Sequence, residues 1–210
     1  MDLPAALAAH RLLAVVRGRD ADASLRTVLT LAEEGITLIE VSLTGTDALT
    51  VIARARELLG VDHDLGAGTV LTADDARAAH RAGAAFVVTP GLGEGIPAAH
   101  DLGMPVLAGV FTPTDVIAAR RMGAAALKVF PIAQAGGAAY LKALRGPFPD
   151  AMLVPVGGVD AAVARDCLAA GAAAVGVGSP LVGDAADGGS LDDLRRRARA
   201  FRTVVAEAAP

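Results

Sequence analysis

Seven glycines divide the chain almost evenly: Gly35, Gly60, Gly83, Gly103, Gly123, Gly146 and Gly171, with successive gaps of 25, 23, 20, 20, 23 and 25 residues. Six of them close or closely follow a helix-like segment, as Gly35 does after Ala32-Glu33-Glu34; Gly146 does so less cleanly. Glycine at that place takes the left-handed conformation that ends a helix. A short apolar run follows each one, at 38–41, 64–67, 86–88, 106–107, 127–130, 153–156 and 174–177, and an eighth run, Leu12-Leu13-Ala14-Val15-Val16, precedes the first glycine. Eight strands separated by helix-length segments imply parallel pairing through right-handed crossovers. Strands buried on both faces read as nearly continuous apolar runs, as these do. The simplest closure is a single-domain α/β fold over residues 1–210, a (β/α)8 TIM barrel with a short N-terminal helix. An open, doubly wound sheet of eight strands is the alternative.

Composition fits that repeat and removes several classes of function. The chain is 53% apolar but only 3% aromatic, without tryptophan, which suits small, tightly packed βα units. A net charge of −4 argues against nucleic acid as a partner. The run Arg195-Arg196-Arg197 follows Asp192-Asp193 and reads as one solvated helix face. The single cysteine, Cys167, has no internal disulfide partner and reads as a small buried hydrophobe. No apolar stretch approaches a membrane span and no signal peptide opens the chain, so a cytoplasmic protein is expected. His10, His63, His80 and His100 lack ligand spacing, so no metal site is expected.

In such a barrel, chemistry belongs to the C-terminal strand ends, and the unusual polar residues gather there. Only two of the nineteen basic residues are lysines, and Lys128 lies inside the apolar run Ala124-Ala125-Ala126-Leu127-Lys128-Val129-Phe130-Pro131. Burial of an amine favours its neutral, nucleophilic form, a change arginine cannot make; the alternative is a lysine snorkelling from a strand end. The other, Lys142, falls on an amphipathic helix pattern and reads as a surface charge. Glu40 is the one carboxylate in the middle of a strand run, and an inward carboxylate needs partners. Lys128 and Arg17, at the end of the first run, can supply them. A buried ion pair without chemistry and a proton shuttle for an amine nucleophile fit Glu40 equally well. Runs seven and eight end in Gly157-Gly158 and Gly178-Ser179-Pro180. These glycines let backbone N–H groups approach an anion, with Ser179 as N-cap and Pro180 at the first helical position. That pair of loops reads as a phosphate cradle; the alternative is two tight turns.

Six motifs in order, at barrel spacing, resemble those of the class I 2-keto-3-deoxy-6-phosphogluconate (KDPG) and 4-hydroxy-2-oxoglutarate (KHG) aldolase family. They are Ile39-Glu40-Val41-Ser42-Leu43, Gly66-Ala67-Gly68-Thr69-Val70-Leu71, Thr89-Pro90-Gly91, Leu127-Lys128-Val129-Phe130-Pro131, Gly157-Gly158-Val159 and Gly176-Val177-Gly178-Ser179. The resemblance runs from Leu13 to about Val205. It implies that Lys128 forms a Schiff base with a phosphorylated 2-keto-3-deoxy sugar acid, releasing pyruvate and glyceraldehyde 3-phosphate. It further implies Glu40 as general acid/base and Thr69 at the keto-acid end. Gly157, Gly158, Gly178 and Ser179 would hold the phosphate, and Pro90, Phe130 and Pro131 would wall the pocket. No metal or organic cofactor is implied, and the family suggests a homotrimer.

The gluconate-type pattern on the second strand usually reads Glu-x-Thr-Leu-Arg, where the arginine binds the carboxylate. Here the stretch is Glu40-Val41-Ser42-Leu43-Thr44. Arg17 instead ends the first strand, resembling the galactonate-type members. The leading expectation is cleavage of KDPG, with the 6-phosphogalactonate epimer as the alternative and 4-hydroxy-2-oxoglutarate behind both. Two non-aldolase readings stand beside these: a phosphosugar epimerase or isomerase, and a catalytically silent phosphosugar-binding barrel. The first usually needs metal ligands or paired acids at strand ends, which the pattern lacks; the second leaves Glu40, Thr69 and Lys128 without a purpose.

Overall fold

The computed structural model describes residues 1–61 and 63–208. Eight parallel strands form one sheet: β1 Leu12–Val16, β2 Leu38–Ser42, β3 Asp64–Gly68, β4 Phe86–Val88, β5 Val106–Val110, β6 Ala126–Val129, β7 Leu153–Pro155 and β8 Val175–Val177. Consecutive strands are neighbours from β1 to β7, and β8 pairs with β1 through Leu12↔Val175 and Ala14↔Val177. The remaining seam is closed by a bridge at Val156↔Gly176 and by the Ala173 amide donating to the Leu153 carbonyl at 3.0 Å. The open sheet is thereby excluded.

The glycine ruler works as its spacing predicts. Six of the seven have φ between 72° and 89°. Gly146 departs, at φ −50°, because the chain turns again through Phe148 before entering β7. Helix starts carry their own signals. Thr72 with Asp75 and Thr112 with Asp115 form reciprocal capping boxes, and Asp20, Asp160 and Ser190 cap with their side chains. Each such cap stabilises its helix by about 1 kcal/mol.

Strand side chains alternate between two cores. Ile39, Val41, Leu127 and Val129 face the surrounding helices. Leu13, Leu38, Phe86, Leu107 and Val154 fill the barrel, closed at its N-terminal end by Leu3 and Leu7 of the helix Leu3–His10. Phe86 fits because Gly66 pairs with it in register; a Cβ on Gly66 would lie 2.5 Å from the ring. The same alternation carries polar groups inward one layer up: Glu40 follows Leu38, and Lys128 follows Ala126. Apolar packing therefore fills the base of the barrel and leaves the C-terminal mouth for chemistry.

Cys167 is buried, and burial pushes its thiol up to about 11, as a packing cysteine requires. The Arg195-Arg196-Arg197 face is not uniformly solvated. Arg195 pairs with Glu33 at 2.7 Å, but Arg197 turns inward and donates to the Leu181 and Val182 carbonyls at 2.7 and 2.8 Å. Those carbonyls end a short helix, Ser179–Val182, and have no further turn to bond, so a guanidinium completes them.

Candidate active site

A cavity of about 430 Å³ opens at the C-terminal mouth of the barrel. Lys128 and Glu40 enter it from β6 and β2, on opposite sides of the eight-strand ring. Lys128 Nζ lies 3.9 Å from Glu40 Oε1, and their side chains are 8% and 1% exposed. This is the only ion pair of either residue within 4.0 Å among the described residues, so Arg17 is not the partner of Glu40 that the sequence allows. Arg17 instead stands exposed at the rim of the cavity. Burial pushes the Glu40 carboxyl well above the usual carboxylate range, and the Lys128 charge offsets that in part. Its Oε2 has no hydrogen-bond partner among the described residues. A buried carboxyl with a charge 3.9 Å away but no hydrogen bond among the described residues is costly for structure alone, and its free oxygens suit an incoming polar group. The Phe130 ring stands 5.4 Å from Lys128 Nζ and covers one side of the amine.

Gly68 fixes where the carboxyl lies. A Cβ there would sit 1.7 Å from Glu40 Oε1, so the Glu40 side chain occupies the space that any other residue would fill. Thr69 follows at φ +60°, a left-handed conformation that is rare for a β-branched residue and costs on the order of 1–3 kcal/mol. The twist aims its hydroxyl at Ser42, whose Oγ lies 2.8 Å from Thr69 Oγ1 and 2.9 Å from Thr44 Oγ1. Three hydroxyls thus form a chain along the cavity wall beside Glu40. In the sequence Thr44 marks only the absence of an arginine; its hydroxyl contact comes from the fold. Period-two alternation puts Ser42 on the Glu40 face of β2, and the turn after the strand brings Thr44 to the same hydroxyl.

Gly157, Gly158, Gly178 and Ser179 also line the cavity, with Pro90. Gly157 and Gly158 have φ of 94° and 72°, and a Cβ on Gly157 would lie 2.9 Å from the Phe130 ring. The helix after β8 begins one residue earlier than the capping pattern predicts. Gly178 is its N-cap, Ser179 its first residue and Pro180 its second, with no side-chain cap bond. The Ser179 hydroxyl is therefore not spent on capping and is exposed in the cavity. Pro131 does not line the cavity; it lies behind Gly157, its Cα 3.1 Å from where a Cβ on that glycine would stand. Among the described residues no group of three His, Cys, Asp or Glu side chains gathers as a metal site.

The family model for KDPG and KHG aldolases matches residues 4–195. The chain belongs to the KDPG and KHG aldolase family. Aldolases are carbon–carbon lyases. A 2-dehydro-3-deoxy-phosphogluconate aldolase from Pseudomonas aeruginosa is 43% identical over 141 residues, covering 66% of this chain and 63% of that protein. A 2-dehydro-3-deoxy-6-phosphogalactonate aldolase from Escherichia coli K12 is 34% identical over 199 residues, 94% of this chain and 95% of that protein. A solved KDPG aldolase from Legionella pneumophila, with pyruvate captured at low pH as a covalent carbinolamine intermediate, has a TM-score of 0.85 at 28% identity and covers 96% of this chain and 97% of that one. The aldolase family expected from six motifs is thus found over nearly the whole chain.

Proposed function

We propose that this aldolase-family protein cleaves 2-keto-3-deoxy-6-phosphogluconate to pyruvate and glyceraldehyde 3-phosphate through a Schiff base on Lys128. The observation that carries the reading is the buried Lys128–Glu40 pair facing across the mouth at 3.9 Å. That gap is too long for a direct hydrogen bond, and both groups face the cavity, so one substrate oxygen lying to the side of the pair can contact the two at once. Lys128 attacks the C2 ketone, and Glu40 protonates the carbinolamine oxygen so that water leaves. The C3–C4 bond then breaks, its electrons passing into the protonated imine, while the C4 hydroxyl gives up its proton and becomes the aldehyde. The enamine left behind takes a proton at C3 and is hydrolysed to pyruvate. A carboxyl whose ordinary proton affinity is raised by burial is suited to both giving and taking these protons. Covalent pyruvate in the Legionella relative supports the same intermediate here.

The distal phosphate would rest on Gly157, Gly158, Gly178 and Ser179, with Thr69 at the keto-acid end. Arg17 lines the same cavity, whereas Arg19 is held away by Asp187 at 3.4 Å. Arg17 would therefore bind the substrate carboxylate in place of the absent strand arginine. Arg17→Ala should raise KM and lower kcat/KM by about 10²-fold, the effect of losing a charged hydrogen-bonding pair, while Arg19→Ala leaves both near wild type. Equal losses in steady-state assays would sink that assignment. The same arginine, with Thr44 just past the second strand, favours the galactonate epimer as a second reading. Comparing cleavage rates of the two C4 epimers decides between them.

The same reading extends to a cytoplasmic homotrimer acting without cofactor. Leu71, Leu92 and Phe111, 54%, 36% and 42% exposed on the loops after β3, β4 and β5, offer apolar surface for such contacts. The decisive test of the chemistry is borohydride reduction in the presence of pyruvate, followed by intact-mass and peptide mapping. A pyruvyl adduct on Lys128 is expected. An unmodified Lys128 would leave the epimerase and the silent binder.

A further inference from the structure

A second cavity, of about 280 Å³, opens at the opposite end of the molecule. There the helices Leu3–His10 and Leu191–Glu207 flank the segments leading into β1 and β2. Its polar lining is basic: Arg11, Arg202 and His10, with the Thr37 hydroxyl, and no carboxylate among the lining residues. Nothing in the aldolase chemistry uses it.

Arg11 is oddly placed for a structural residue. It adopts φ +56°, a conformation that disfavours any side chain, to link the first helix to β1. Its backbone is committed, the N–H to the Leu7 carbonyl at 2.9 Å and the carbonyl to the Val175 amide at 3.0 Å. Its side chain is not. Nε is buried with no hydrogen-bond partner, and no ion pair of Arg11 is found among the described residues. Opposite it, Arg202 spends one donor, Nη1, on the Glu34 carbonyl at 2.9 Å. Gly35 makes room for that guanidinium, which lies 3.2 Å from where a Cβ would stand. His10 Nε2 and Thr37 Oγ1 sit 3.4 Å apart on the same wall.

We propose that this cavity is a binding site for a small phosphate-bearing anion. Two guanidiniums with unused donors match the spread oxygens of a phosphate, which they bind by paired, charge-assisted hydrogen bonds. The hydroxyl and imidazole add neutral or cationic donors at the same wall. A cavity of this volume takes inorganic phosphate or a phosphorylated metabolite of a few carbons. An anion at this place would bridge the Arg11 and Arg202 side chains and so tie the segment after the first helix to the helix Leu191–Glu207.

Equilibrium dialysis with radiolabelled inorganic phosphate tests the site. The phosphate cradle at the catalytic mouth also binds phosphate, so the comparison is between wild type and the double variant Arg11→Gln/Arg202→Gln. The variant should bind one phosphate fewer per chain, or bind it at least tenfold more weakly at that site, while Lys128 still traps pyruvate at the wild-type rate. Arg202→Gln alone, a change at an exposed position, should give a weaker loss in the same direction. If the cradle itself fails to bind, the expected difference of one remains, from one to none. Equal stoichiometry and affinity in wild type and double variant would overturn the proposal.

Discussion

Lys128→Met is expected to lower kcat/KM by about 10⁵-fold or more, the order seen when a covalent nucleophile is removed. Such a loss corresponds to roughly 7 kcal/mol of transition-state stabilisation. No other group in the cavity can take over the role. Among the described residues Lys128 is the only amine lining the mouth, Arg17 offers a guanidinium rather than an amine nucleophile, and Lys142 is exposed on an outer helix. Methionine nearly matches the lysine stem in length and buries easily, so the barrel should fold. Glu40 would lose its one ion-pair partner and hold its proton more firmly still. Borohydride with pyruvate should leave the variant unlabelled. Turnover within tenfold of wild type, with correct folding by circular dichroism, would exclude the Schiff base.

The repeat made the architecture legible from the sequence. Each βα unit needs a residue that can end its helix in a left-handed turn, and glycine is the residue that does so without strain. Strand positions then follow, because parallel strands covered on both faces carry little but apolar residues. Lys128 and Glu40 were legible for the complementary reason: each breaks such a run, and a charge in a two-sided core is too costly to be accidental. What the sequence could not give was direction within the mouth. Arg17 and Glu40 lie on adjacent strands and look like partners, yet the arginine leans to the rim. Ser179 carries a capping pattern, but the helix starts one residue early and leaves its hydroxyl in the cavity. Arg197 reads as surface charge until the orphan carbonyls of the Ser179–Val182 helix are seen beside it. Gly68 reads as one glycine of a motif; its reason is the Glu40 carboxyl lying where its side chain would be. Apart from the Ser179 helix start, these features depend on contacts between distant segments, and no local pattern encodes those.

Glu40→Gln should separate catalysis from stability. With the amide unable to give or take a proton, kcat is expected to fall by about 10²- to 10⁴-fold, the usual contribution of a positioned general acid/base. Lys128 remains, so pyruvate trapping by borohydride should slow but not vanish, which distinguishes this variant from Lys128→Met. Stability should move the other way, and with a defined pH dependence. Because burial raises the folded-state pKa of Glu40 above its unfolded value, its contribution to stability is full below the unfolded pKa and is lost as pH rises through the folded one. Above that range the wild type either carries an ionised carboxylate in a buried site or loses stability avoiding it. Glutamine does not titrate there. The difference in melting temperature, variant minus wild type, should therefore grow from pH 5 to pH 8, measured by thermal unfolding in matched ionic strength. A difference that shrinks over that interval would mean that Lys128 holds Glu40 ionised in the folded protein. The acid step in carbinolamine dehydration would then belong to another group, with the hydroxyl chain of Ser42, Thr44 and Thr69 as the nearest candidate.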